Sequence, residues 1–182
     1  MVYNTYENRE QAFDWLTFIQ REPEANREYH FGYVRKEDGK LIGSGSIGPD
    51  SLREDFWGFG YNFRRDCWDM GYATEAARAM LQFAHDTLGA TKFSSSHVDV
   101  NKASGHVMEK CGLTFEKYGT CQKLDGSCKA RSMEYTGDWN GFLQTRITRM
   151  ERYMDDLADA LRTNPDALKT SLTLRRKVRE LT

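Results

Sequence analysis

The chain has 182 residues, 39% apolar, 29% charged and 13% aromatic, the make-up of one ordinary soluble domain, which excludes disorder, collagen and coiled-coil rods. At this length roughly two-thirds of the surface exposed on unfolding can be buried, so folding needs neither disulfides nor a metal. With 26 Lys and Arg against 27 Asp and Glu the net charge is −1; nothing draws the whole chain to nucleic acid or an anionic membrane, and any anion site must be local.

Ala12, Phe13, Trp15, Leu16 and Ile19 recur at helical spacing, which predicts a first amphipathic helix from Asn4 or Thr5 to Ile19, closed off before Pro23. Glu28 to Arg35 and Lys40 to Ile47 read as strands around the tight turn Glu37, Asp38, Gly39. Asp55 to Phe63 is a third strand, with Trp57, Phe59, Tyr61 and Phe63 on one side and Gly58, Gly60 and Asn62 on the other. One side is bulky and the other bare. Tyr72 to Leu88 carries Ala73, Ala76, Ala77, Met80, Leu81, Ala84 and Leu88 on one stripe, and Gly89 follows where a left-handed cap belongs. Thr91 to Asp99 is a strand, Lys102 to Cys111 a short helix ending at Gly112, and Leu113 to Gly119 with Lys129 to Tyr135 a closing antiparallel pair. A mixed α+β sheet with helices on its faces fits this order.

After Trp139 the texture changes. Leu143, Ile147, Met150, Met154, Leu157 and Leu161 form a heptad seam, and Asn164-Pro165 predicts the cap of a second helix running to about Leu181. The division expected is therefore a core of residues 1–138 and a two-helix extension of residues 139–182. That extension holds nine Arg or Lys and six Asp or Glu. It reads as a hairpin packed on its own core or on a twin, which favours a homodimer; a basic arm around Arg175, Arg176, Lys177 and Arg179 is the alternative.

No stretch approaches the roughly 20 apolar residues of a membrane span, and the start has no apolar core after a basic end, so the cytosol is the expected compartment. Cys67, Cys111, Cys121 and Cys128 lack CxxC spacing and read as reduced thiols; His30, His85, His97 and His106 form no ligand pattern, so no metal is expected.

The informative stretch is Gly60 to Ala77, GYNFRRDCWDMGYATEAA. A glycine-bearing strand ends in a short polar loop that runs straight into a strong helix whose start contains Gly71, Ala73 and Thr74. Unpaired amides at such a start converge on one spot, aided by the helix dipole, and small residues let a phosphate approach them. Arg64 and Arg65 add local positive charge. The pattern is neither GxGxxG nor GxxxxGK[ST], which argues against dinucleotide or nucleoside-triphosphate binding by those routes.

Gly60, Tyr61, Trp68, Gly71, Tyr72, Ala73, Thr74, Glu75 and Ala76, followed by Asn101, Ser104, Glu109, Lys110 and Gly112, resemble the GNAT superfamily of acetyl-CoA-dependent N-acetyltransferases. The branch that acetylates the N-termini of ribosomal proteins looks nearest. The likeness covers roughly Glu7 to Trp139. It implies a GNAT-like, mostly antiparallel mixed sheet flanked by helices, and acetyl-CoA as co-substrate. It also implies that amides from Met70 through Gly71, Tyr72 and Ala73 to Thr74 cradle the pyrophosphate, with Trp68 beside them. The edge at Tyr61, Asn62 and Phe63 would pair with pantetheine, and Asn101 and Ser104 would lie near the thioester, although simple helix capping also explains those two.

Three departures stand out. Gly58 replaces the acid many relatives carry two places before the Gly-Tyr pair, and Met108 replaces the tyrosine some carry in the Asn-helix. The chain also starts near the family's second helix, so the usual first strand and helix are expected to be missing, either in a shortened form or with the tail or a second chain covering the gap. Candidate bases are then Glu54, Asp55 and His97. The amine must be neutral to attack: an α-amine with a pKa of roughly 7.7 to 8.0 meets that far more often at pH 7 than a lysine at about 10.4, so a peptide N-terminus is the favoured acceptor. Direct transfer is preferred to an acyl-Cys67 intermediate, since no partner base is evident. The alternatives are a non-catalytic coenzyme A sensor or scaffold, and acetylation of a small amine.

Overall fold

A computed structural model describes residues 8–21, 28–122, 126 and 129–164. Helix α1 spans Arg9–Gln20 and is capped by Asn8, whose Oδ1 accepts from the Gln11 amide at 2.9 Å. It therefore begins later than Asn4 or Thr5, at the residue that supplies the acceptor. Strands β1 (Tyr29–Val34), β2 (Leu41–Pro49) and β3 (Phe56–Phe63) make an antiparallel meander. Helix α2 covers Tyr72–Leu88 between left-handed residues at Gly71 and Gly89, as its stripe predicts. Then come β4 (Lys92–Val98), α3 (Lys102–Lys110), β5 (Thr114–Gln122), β6 (Lys129–Asp138) and α4 (Trp139–Thr163). The β5–β6 hairpin outruns its expected ends at Gly119 and Tyr135. Backbone rungs carry β5 on through Thr120–Arg131 and Gln122–Lys129, and carry β6 past Tyr135 through Thr136–Ser94, Gly137–Phe93 and Asp138–Lys92.

The strands form one six-stranded sheet in the order β1-β2-β3-β4-β6-β5. Only β3 and β4 are parallel, joined over Phe56–Lys92, Trp57–Phe93 and Gly58–Ser94. Period-2 alternation gives the sheet two unlike faces. Ile47, Phe59, Phe93 and Tyr135 point to the helix side and meet Ala77, Met80, Leu81 and Ala84 of α2 and Met108 of α3, all buried. Phe83 adds edge contacts to Tyr29 and Phe31 at 5.3 and 5.5 Å between centroids. The opposite, open face carries Ser46, Gly48, Gly58, Gly60, Asn62, Ser94, Ser96 and Glu134. Trp15 of α1 reaches its β1 edge, 5.4 Å from the ring of His30.

Helix α4 leaves β6 without a loop. Asp138 caps it, accepting from the Gly141 amide at 2.8 Å, and Phe142 is buried in the same core as the sheet. Trp139 stacks on His85 at 3.7 Å and on Phe142 at 4.9 Å. The end of α3 packs so closely here that a Cβ on Gly112 would lie 2.5 Å from the Gly141 backbone, and Gly112 has φ +84°. Glycine is required there twice over. Beyond the first turn the seam stays open: Leu143, Ile147, Met150 and Met154 are exposed. The second expected helix, from Pro165, lies outside the described residues.

Candidate active site

Past the Gly58–Ser94 rung β3 and β4 part, and Phe59 to Phe63 have no strand partner on that edge. A side chain spans the gap: Ser95 Oγ donates to the Phe59 carbonyl at 2.8 Å. The wedge opens into a cleft of about 680 Å³ on the open face, whose lining includes Gly58, Gly60, Asn62, Ser94, Asn101 and Ser104. Gly58 and Gly60 place no side chain over the β3 backbone there.

Beyond the far end of β3 the chain runs through a single turn at Arg65–Cys67 and the loop 68–71 into the start of α2. Gly71 has φ +84°, a conformation that strains any side chain, and open space where a Cβ would be. No side chain caps this helix, and its first bond runs from the Glu75 amide to the Gly71 carbonyl at 3.1 Å. The amides of Tyr72, Ala73 and Thr74 thus have no partner within the helix, as at any helix start. Trp68 and Met70 flank the loop, both exposed, and Trp68 Nε1 donates to the Phe63 carbonyl at 2.9 Å, tying loop to strand. Phe63 in turn stacks flat on Tyr33 at 5.0 Å. Asn62 Nδ2 donates to Ser44 Oγ at 2.9 Å on the open face. Arg64 is engaged by Asp66 at 2.9 Å.

Asn101 and Ser104 come together. Asn101 Nδ2 donates to Ser104 Oγ at 2.9 Å, and the side chain makes no cap bond to the α3 backbone. Tyr61 Oη donates to the Ser104 carbonyl at 3.2 Å, and burial pushes the Tyr61 hydroxyl above its ordinary pKa. This cross-link ties the unpaired edge of β3 to the α3 turn. The turn itself is braced by Asp99, which Lys102 and Arg131 hold down to a pKa of about 2.

His97 is buried on the helix side of the sheet and also belongs to the lining of the cleft. Its Nδ1 lies 2.8 Å from the Val98 carbonyl, which assigns the Nδ1–H as donor and Nε2 as a bare acceptor. Nε2 is buried without a hydrogen-bond partner and points toward Gly105, whose added Cβ would come within 2.8 Å of it. Glu54 and Asp55 do not join the cleft. They sit exposed in the β2–β3 turn, where Asp55 adopts φ 62° and pairs with Lys92 at 3.8 Å. The acids that do line the cleft, Glu28, Asp50 and Glu134, were not among the expected candidates. No motif spacing marks them; only strand register brings them together. Arg53 Nη2 bridges Glu116 at 2.6 Å and Glu134 at 2.8 Å, and Arg53 Nε lies 3.7 Å from Asp50 Oδ2.

Cys67, Cys111 and Cys121 are free thiols, and Cys128 lies outside the described residues. Burial raises the Cys111 thiol to about 11, the reverse of an activated nucleophile. Cys67 is buried behind the loop, its Sγ 3.8 Å from Asp66 Oδ1. Among the described residues there is no cluster of three or more His, Cys, Asp or Glu that could hold a metal, and no helix long and apolar enough to cross a membrane.

A sheet that opens between two parallel strands, a bare helix start at the head of the opening and a polar cleft below it define the acyl-coenzyme A-dependent acyltransferase class. Within it, the chain belongs to the acetyltransferase (GNAT) domain family, whose model matches residues 1–114. Among curated relatives, the FsC-acetyl coenzyme A-N(2)-transacetylase of Aspergillus fumigatus is 38% identical over 77 residues, covering 40% of this chain and 33% of that one. A probable N-acetyltransferase of Bacillus subtilis, YjcK, is 31% identical over 111 residues, 59% of each chain. The chain thus spans between a third and three-fifths of the length of these two relatives. Among solved structures, the spermidine N-acetyltransferase of Vibrio cholerae in complex with CoA and spermine aligns with a TM-score of 0.64 at 15% identity over 78% of this chain and 82% of that one. A putative ribosomal-protein-serine acetyltransferase from Vibrio cholerae aligns at 0.57 and 20% identity over 70% and 71%. These likenesses establish the fold.

Proposed function

We propose that this protein transfers an acetyl group from acetyl-CoA to a primary amine by direct attack, with the α-amino group of a peptide or protein as the preferred acceptor. One observation carries the reading: the uncapped start of α2 and the unpaired edge of β3 lie in sequence, so a diphosphate and an amide-bearing arm fit end to end. Amides at Met70 to Thr74 would take the diphosphate. The edge at Tyr61, Asn62 and Phe63 would pair with pantetheine, and the Asn101–Ser104 pair would stand beside the thioester. The curated relatives' names, both acetyltransferases of nitrogen, support the same chemistry.

A second reading, acetylation of a small polycationic amine, draws on the acidic side chains in the cleft. A panel separates the two. Free-thiol release is followed from pH 6 to 9 on an α-amino peptide, its N-blocked lysine twin, and a linear polyamine. The α-amino peptide is expected to turn over at least tenfold faster than its lysine twin at pH 7, because its amine is neutral several hundred times more often. Faster turnover on lysine or polyamine at that pH refutes the α-amine preference. Binding of acetyl-CoA without thiol release on any amine would instead make the protein a coenzyme A sensor.

We place a second copy on α4, where Leu143, Ile147, Met150 and Met154 form an exposed apolar strip at heptad spacing. Light scattering is expected to give a dimer that Met150→Glu/Met154→Glu converts to a monomer. A wild-type monomer at tens of micromolar would refute it. Free cysteines fit a reducing compartment, the cytosol.

A further inference from the structure

Strand β3 carries no side chain at the point where it leaves β4. A Cβ built on Gly58 would lie 3.6 Å from Ser94 Oγ and 3.9 Å from Asp50 Cβ, both ordinary contact distances. The turn that follows β2 borders the space in front of Gly58. Ser94 Oγ donates to Asp50 Oδ2 at 2.5 Å, and the Leu52 amide donates to Asp50 Oδ1 at 2.9 Å. The Asp50 amide donates to the Phe56 carbonyl at 2.8 Å, anchoring the residue to the base of β3. The carboxylate is therefore held at the closed end of the wedge, on the open face, among the residues that line the cleft.

We propose that Asp50 is the proton acceptor of the acetyl transfer, supplying from the neighbouring turn the carboxylate that β3 lacks at position 58. This rests on the acetyl-transfer reading. An amine entering by the open face meets the thioester carbonyl at the wedge, and the nearest fixed carboxylate to the last rung is Asp50. The amine nitrogen forms its bond to the carbonyl carbon, and its proton passes to the Asp50 carboxylate. The carbon–sulfur bond breaks with its electron pair on sulfur. Coenzyme A leaves as a thiolate that takes a proton from solvent, and Asp50 returns its own proton to solvent.

The charged groups around Asp50 are few. Arg53 Nε, from its own turn, lies 3.7 Å away, but the guanidinium is shared with Glu116 of β5 and Glu134 of β6. Lys117 of β5 stands 3.7 Å from Glu134. Glu28, ahead of β1, accepts from Ser46 Oγ on the same face. Lys92 of β4 and Asp55 pair with each other at the first β3–β4 rung.

Asp50 also closes a turn, so the test must separate proton transfer from architecture. Asp50→Asn keeps an oxygen for the Leu52 amide. Asp50→Ala/Gly58→Asp moves the carboxylate onto β3, at a position with room for it. Wild type and these variants, with Asp50→Ala, are compared by thiol release on the α-amino peptide from pH 6 to 10 and by calorimetry with acetyl-CoA. Asp50→Asn is expected to bind acetyl-CoA within about twofold of wild type. It should lose roughly 100-fold or more in kcat/KM at pH 7, the usual scale for a lost general base, and the deficit should shrink as the pH passes that of amine deprotonation. The relocated carboxylate should recover about tenfold over Asp50→Ala. An Asp50→Asn enzyme that matches an active wild type at pH 7, or a deficit equal at pH 7 and pH 10, overturns the proposal. A wild type that releases no thiol on any amine overturns the acetyl-transfer reading, and Asp50's role with it.

Discussion

Gly71→Glu is expected to weaken coenzyme A binding by about 100-fold or more, on the order of 2.7 kcal/mol, measured by calorimetry. Two effects add. The backbone at 71 sits at φ +84°, which costs a side-chain-bearing residue roughly 1–2 kcal/mol. The new carboxylate would face the same convergent amides as the diphosphate, and two like charges about 4 Å apart repel by roughly 1–4 kcal/mol at surface dielectrics. Nothing lies within 4 Å of the added Cβ, so no steric clash adds to the strain. Gly71→Ala isolates the strain and should lose less than about tenfold. If Gly71→Glu bound coenzyme A as wild type does, the diphosphate would have to lie elsewhere.

The second large effect is structural. Phe142→Ala should destabilise the protein by about 3–5 kcal/mol, read from the urea midpoint, out of a total that for such domains is roughly 5–15 kcal/mol. Phe142 is 1% exposed, stacks on Trp139, and carries Arg146 over its ring at 5.8 Å. Trp139 in turn stacks on His85 of α2. Removing the ring leaves a cavity bordered by α2 and the Gly112–Gly141 contact, backbone that cannot collapse into it. The first turn of α4 is therefore part of the sheet's core, whatever the rest of residues 139–182 does. A loss below about 1 kcal/mol would show that α4 is an independent appendage.

The elements and the α2 loop were legible because their signals are local. The alanine and leucine stripe of α2, its left-handed Gly89, and the alternation of Phe59, Tyr61 and Gly58, Gly60 along β3 each depend on neighbours a few residues away. Asn101 and Ser104 were singled out by the family resemblance, and the structure shows their side chains hydrogen-bonded to each other. The extra length of β5 and β6 was not legible, since backbone rungs carry no side-chain signature there. Nor were the acids of the cleft. Glu54 and Asp55 precede β3 in sequence, yet the turn leaves both outside the cleft, whereas Asp50 at the far end of the same turn folds back over Gly58.

The amino-acid sequence by itself determined the glycine-bearing strand and the bare helix start after it, because strand alternation and helix termini follow from consecutive residues. Tertiary structure alone decided which carboxylates stand at the wedge. Asp50, Gly58, Ser94 and Glu134 meet only through the β2–β3 turn and the register of β3, β4 and β6. A one-residue slip of any of those strands would turn its side chains to the helix side and empty the cleft.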